Sequence, residues 1–177
     1  MRLRPQRKRC EGNKVMGIKF DGEFSVPVSR EEAYEVLSDP EKFAPLLPTY
    51  KSLEMQDEKT AIVKVKVGVG KIRGTATIAL VLEESICPTR AAYSGKGKIM
   101  GSAFNLATAF ELTEADGGGT LVKWEGELDI FGKLVSLAGG LIRPLAKKDI
   151  TRLIDALQAA LTPNGEQSAS GIQGSGR

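Results

Sequence analysis

Between about Tyr50 and Phe131 apolar and polar residues alternate at period two, and from Gly132 onward the period becomes helical. That switch constrains the fold more than any other feature of the chain. Alternation at period two builds a strand with one buried face, and recurrence at three- and four-residue steps builds a helical stripe. The stripe runs through Leu134, Leu137, Leu141 and Leu145, then Ile150, Leu153, Leu157 and Leu161. Turn signals at Asp57-Glu58, Gly68 to Gly70, Cys87-Pro88, Met100-Gly101 and Asp116 to Gly119 divide the alternating region. Six strands are expected, at about 52–57, 60–67, 72–84, 89–98, 102–113 and 120–131. Ile18, Phe20, Gly22, Phe24 and Val26 alternate with polar neighbours and add a seventh strand ahead of them. Two short helices connect it to the others. Ser29 and Glu32 form a capping box at the first, and Asp39-Pro40 opens the second with an acid at the cap and proline at N1. The expected class is α+β: a seven-stranded curved antiparallel sheet wrapped around one long C-terminal helix.

The alternation also assigns faces. Val63, Val65, Val67, Ile78, Leu80, Leu82, Tyr93, Phe104, Leu106, Thr108, Phe110, Trp124, Leu128 and Ile130 share one face. Lys64, Lys66, Lys96, Lys98, Lys123, Glu125, Glu127 and Asp129 share the other. The apolar face must be covered, and the terminal helix is the long amphipathic element available to cover it. Gly74, Ala76, Ala91, Gly95, Gly97 and Gly126 are interspersed on that face. Residues this small either leave an internal cavity or simply permit the sheet to bend. Gly139-Gly140 and Pro144 fall inside the helical stretch. A proline there removes one backbone donor and crowds the carbonyl four residues back, so a kink or break is expected.

Several chemistries are disfavoured by what the chain contains. It has no histidine, the commonest general base and a common zinc ligand. Serine and cysteine nucleophiles therefore lack their usual activator. Gly68 to Gly74 has the wrong spacing for a dinucleotide loop and precedes a strand rather than a helix. Glu125, Glu127 and Asp129 alternate along one strand's polar face, as solvated charges do, so no metal site is expected. The two cysteines, Cys10 and Cys87, do not make a disulfide framework and fit a cytoplasmic protein.

Residues 1–15 carry Arg2, Arg4, Arg7, Lys8, Arg9 and Lys14 against Glu11 alone, a local +5, leaving about −2 for the remainder. Such an arm is read as a basic, disordered leader, with translation starting at Met16 as one alternative and an anion-binding arm as the other. Residues 163–177 are polar and glycine-rich, a disordered tail. The domain proper is expected over 16–162. Its one asparagine, Asn105, and two glutamines, Gln56 and Gln158, hint at a thermophilic source. The longest uncharged stretch, 99–110, is far short of the roughly 20 residues of a membrane span, so a soluble protein is expected.

Specific segments carry a resemblance. Phe20 to Glu41, Leu47 to Glu54, Val63 to Gly68, Tyr93 to Gly97, Gly117 to Trp124 and Gly132 to Leu134 are similar to the carbon monoxide dehydrogenase CoxG family. That family lies within the helix-grip (START, polyketide-cyclase and Bet v1-like) superfamily, and the resemblance covers about Gly17 to Leu161. The chain departs from the family at Pro48-Thr49-Tyr50, where Pro-Gly-Cys is usual, and the tail of some members that anchors to a membrane is not expected here. The resemblance implies a non-enzymatic accessory protein of a molybdenum dehydrogenase, one that recruits the enzyme to the membrane or carries a hydrophobic redox molecule such as a quinone. It implies no resident cofactor. With the carrier role, Tyr93, Thr108 and Trp124 would orient the ligand, and Val65, Phe104, Phe110, Leu128, Leu141 and Leu145 would wall it. Ordinary core packing is the competing account of each. A cyclase or hydratase in the same fold and a docking module with a filled core remain the alternative functions. No nucleic-acid partner is expected; ligand identity and oligomeric state are not legible.

Overall fold

The structure, a computed structural model, describes residues 15–163. Residues 1–14 of the expected leader and 164–177 of the expected tail lie outside the described residues. Seven strands and three helices follow in the order β1 (Val15–Val26), α1 (Arg30–Leu37), α2 (Pro40–Phe43), β2 (Tyr50–Met55), β3 (Thr60–Val69), β4 (Ile72–Ile86), β5 (Arg90–Ile99), β6 (Ser102–Glu114), β7 (Thr120–Phe131) and α3 (Lys133–Ala160), with one 3-10 turn, Ala44–Leu46, after α2. The sheet order is β1-β7-β6-β5-β4-β3-β2, antiparallel throughout. Strands β2 to β7 form a meander, and β1 adds beside β7. This is the helix-grip layout.

Local chemistry sets the element ends. The Glu32 amide donates to Ser29 Oγ at 3.3 Å and the Ser29 amide donates to Glu32 Oε2 at 3.1 Å, completing the capping box of α1. The Glu41 amide donates to Asp39 Oδ1 at 2.9 Å, with Pro40 in the first turn of α2. Met100 and Gly101 have φ of 48° and 77°, the paired positive values that a two-residue hairpin between right-twisted strands requires. Pairing of Val69 with Ile72 carries β3 two residues past its expected end and leaves another two-residue turn at Gly70-Lys71. At the start of α3 the Leu134 amide donates to Ser102 Oγ at 3.0 Å, so a neighbouring strand supplies the cap.

The expected break at Pro144 does not occur. The helix runs 28 residues, Lys133–Ala160, through it. Proline forfeits one intrahelical bond, but Ile142 and Leu145 on either side of it both pack into the same core cluster and hold the helix across the gap.

Register brings the apolar faces together. Ala61, Leu80, Gly95, Leu106, Leu128 and Ile18 form one row across six strands. Leu82, Tyr93, Thr108, Gly126 and Phe20 form the next. A one-residue slip anywhere would turn lysines inward. Register shifts between Leu82 and Glu84 and between Tyr50 and Ser52 bend the outer strands. Two core clusters result. Leu37, Leu112, Val122, Leu157 and Leu161 belong to one, beneath α1 and the end of α3. Ile18, Ile99, Phe104, Ile130, Leu134 and Ile142 belong to the other, at the hairpin end of the sheet.

Candidate functional site

A cavity of about 330 Å³ lies between the sheet's inner face and α3. Gly126, between Thr108 and Phe20, leaves part of that space, since a Cβ built on it meets nothing nearer than 3.8 Å. At Gly95 and Gly22 the neighbouring Ile78, Leu106 and Trp124 side chains already crowd the place. Val65, Leu106, Phe110 and Leu128 face it from the sheet, and Ala146, Ile150 and Leu153 from α3. Leu37, Phe43 and Leu47 close it from the segment between β1 and β2. The Phe43 ring meets Tyr93 edge-on, with centroids 5.4 Å apart.

The polar groups on this wall divide into engaged and free. Tyr93 donates its phenol proton to the Leu37 carbonyl at 2.8 Å, and burial, with Asp39 and Tyr34 nearby, pushes its pKa well up, so it stays protonated. Thr108 Oγ1 donates to the Glu125 carbonyl at 2.8 Å. Both therefore tie the wall together. Trp124 is different: its Nε1 is buried and, among the described residues, is the one buried side-chain nitrogen or oxygen without a partner. Asp149 enters from α3, and Glu127, which stays on the outer face 3.9 Å from Lys19, reaches the rim.

Of the residues singled out in the sequence, the structure brings Val65, Tyr93, Thr108, Phe110, Trp124 and Leu128 around the cavity. Phe104 and Leu145 sit instead in the hairpin-end cluster, where the Phe104 ring occupies the place of a side chain on Gly97. Leu141 is 52% exposed and does not line this cavity. The inward face of α3 advances through Ile142, Ala146, Asp149, Leu153 and Leu157, mostly in steps of four. Each such step turns about 40° around the axis, so Leu137 and Leu141 are left on the trailing flank.

Asp149 is not among the residues singled out in the sequence, although it stands four residues after Leu145 and four before Leu153, in line with the apolar stripe. Its carboxyl pKa is raised above the ordinary 3.8, because loss of solvation outweighs the pull of Arg152 and Lys148. A carboxyl that binds its proton more tightly when folded is neutral in both states below pH 3.8 and destabilises the fold once ionised at higher pH. Asp149→Asn should therefore raise the melting temperature slightly at pH 7 and leave it unchanged near pH 3, as thermal denaturation at the two pH values would show.

Among the described residues no group of three or more His, Cys, Asp or Glu is placed to hold a metal ion. No described helix is long and apolar enough to cross a membrane. What the arrangement can do is enclose an apolar molecule, with the one carboxyl of Asp149 at the wall and Glu127 at the rim.

The family model for the carbon monoxide dehydrogenase component CoxG matches residues 22–162. The chain belongs to the CoxG family. The matched span runs from the middle of β1 to the end of α3 and holds every wall of the cavity except Phe20. No curated protein matches the chain. Among solved structures, the CoxG-family chain is similar to a conserved protein from Geobacillus kaustophilus, with TM-score 0.73 at 17% identity over 81% of this chain and 95% of that one. It is similar to a START superfamily protein from Mycobacterium smegmatis, with TM-score 0.59 at 14% identity over 81% and 96%. It also matches the di-domain ARO/CYC BexL of the BE-7585A biosynthetic pathway, with TM-score 0.56 at 9% identity over 82% of this chain and 50% of that one. At these identities the likeness establishes the fold, which is START- and polyketide-cyclase-like.

Proposed function

We propose that this CoxG-family chain is a non-enzymatic carrier of a hydrophobic small molecule, quinone or lipid-like, serving a carbon monoxide dehydrogenase-type molybdenum enzyme in the cytoplasm. The observation that carries the proposal is the cavity, about 330 Å³ of unfilled space walled by Val65, Leu106, Phe110, Leu128 and Leu153. An empty space of this kind forfeits packing that the surrounding side chains would otherwise have. A bound molecule restores it, and each 100 Å² of its apolar surface removed from water contributes about 2.5 kcal/mol. The partner enzyme is taken from the family's description as part of a carbon monoxide dehydrogenase. Of the residues offered as ligand contacts, Val65, Phe110 and Leu128 serve as walls and Tyr93 and Thr108 as fixed struts.

Mass spectrometry of an organic extract of the natively purified protein tests this reading. A stoichiometric quinone or lipid is the expected result. An extract empty of both, with no thermal shift on adding either class, would overturn it and move attention to the outer surface.

One observation favours a second reading, a cyclase- or hydratase-type enzyme: the Asp149 carboxyl at the wall is a group such chemistry would use. Under that reading Asp149→Asn abolishes turnover of the extracted molecule. Under the carrier reading the molecule is recovered unchanged from wild type and variant alike.

A further inference from the structure

Two charged residues line the cavity, and only one of them is uncommitted. Glu127 lies on the outer face, 3.9 Å from Lys19. Asp149 stands on α3 three residues after Ala146 and four before Leu153, and all three line the cavity. Among the described residues its carboxyl forms no ion pair, not even with Lys148 or Arg152 on its own helix. Burial opposes its charge more than those two cations favour it. The hydroxyls of Tyr93 and Thr108 cannot serve it, since each already donates to a backbone carbonyl. A half-buried carboxylate set among alkyl groups has given up part of its water and lacks a donor in exchange.

Resting on the carrier reading above, we infer that Asp149 selects the cargo by accepting a hydrogen bond from a neutral hydroxyl on it. The ligand class is an apolar alcohol or phenol. A hydrocarbon leaves the carboxylate without a donor. A ketone or an ether brings a second acceptor and no proton to share. An anionic acid sets two like charges beside one apolar wall. A protonated amine carries the right sign, but Lys148 and Arg152 oppose a third cation there, and the ammonium must shed its own water. A hydroxyl supplies the proton without a charge, and its bond to an ionised acceptor is of the stronger, charge-assisted kind.

Isothermal titration of the full chain with 2-naphthol, 2-methylnaphthalene and 2-methoxynaphthalene tests the inference. The three share one ring system, only the first has an O–H, and the third keeps an oxygen that can only accept. Wild type should bind 2-naphthol about tenfold more tightly than either of the others, the effect of one hydrogen bond to a charged acceptor. Asp149→Leu keeps the branched shape with two methyls in place of two oxygens. Its preference for 2-naphthol should vanish, with 2-methylnaphthalene bound at least as well as by wild type. The methoxy comparison needs no variant and decides the point even if Asp149→Leu fails to fold. Equal binding of 2-naphthol and 2-methoxynaphthalene by wild type, or an undiminished preference in Asp149→Leu, would overturn the inference and leave the carrier reading standing. So would tighter binding of 2-naphthylmethylamine than of 2-naphthol, which would make the site one for cations. Failure of every probe to bind wild type would remove both.

Discussion

Gly119→Ala should cost about 3 kcal/mol or more and lower the melting temperature by roughly 6–12 °C, a large loss for a single methyl group. Gly119 has φ of +82°, a region in which a Cβ is strained. Its built Cβ would also lie 2.4 Å from the Val26 carbonyl oxygen and 3.2 Å from the Pro27 Cα. Those atoms are backbone, and no rotamer change moves them away. The contact occurs where β1 ends against the start of β7, with Val26 opposite Thr120. Thr120, fully buried, donates to the Val28 carbonyl at 2.8 Å in the same corner. Relieving the clash therefore means parting β1 from β7 and breaking a buried hydrogen bond. Two neighbours supply the control. Gly117 and Gly118 have φ of +84° and +99° with nothing within 4 Å of a built Cβ. Alanine at either should cost only the conformational strain, about 1–2 kcal/mol. Thermal melts of the three variants decide the point, and equal losses would refute the close-approach explanation.

Ala146→Phe should abolish uptake of an apolar ligand, lowering affinity at least a hundredfold, while the protein stays folded. Ala146 is half-buried on α3 and faces the cavity, so a longer side chain there enters existing space rather than existing atoms. The aromatic ring buries apolar surface that the empty cavity leaves unpacked, which offsets phenylalanine's lower helix propensity of about 0.5 kcal/mol. Stability should remain within about 1 kcal/mol of wild type. Circular dichroism and a melt verify the fold, and titration with an apolar probe reads the loss. A variant that binds as tightly as wild type would place the ligand elsewhere.

The fold is legible in the sequence because its strands are half-buried and its rows are regular. Alternation along Val63, Val65 and Val67 against Lys64 and Lys66 names the inner face without ambiguity. The β7 limits, 120–131, agree to the residue because the triple-glycine turn and Gly132 bracket them. The starts of β3, β4 and β6 also agree, and the other boundaries differ by at most three residues, as at Val69, where strand pairing continues past Gly68. Register itself comes only from the structure, and with it the place of Gly126 between Thr108 and Phe20 on the cavity wall. On α3 the apolar stripe misleads in a specific way. Drawn through every leucine, it takes in Leu137 and Leu141, which are 71% and 52% exposed, and passes over Ile142 and Asp149. Helical position, rather than apolar character alone, identifies the inward set. The walls formed by Leu37, Phe43 and Leu47 read in sequence as connection only, since nothing local marks a connecting segment as the end of a cavity.

Trp124 is the sole tryptophan of the chain and forms part of the cavity wall, so its fluorescence reports occupancy directly. The most direct test of the carrier account is therefore a fluorescence titration with a short-chain naphthoquinone on wild type and Ala146→Phe side by side. The account predicts saturable quenching at one molecule per chain in wild type and none in the filled variant. Quenching that rises linearly without saturation, or that saturates identically in both proteins, would contradict it.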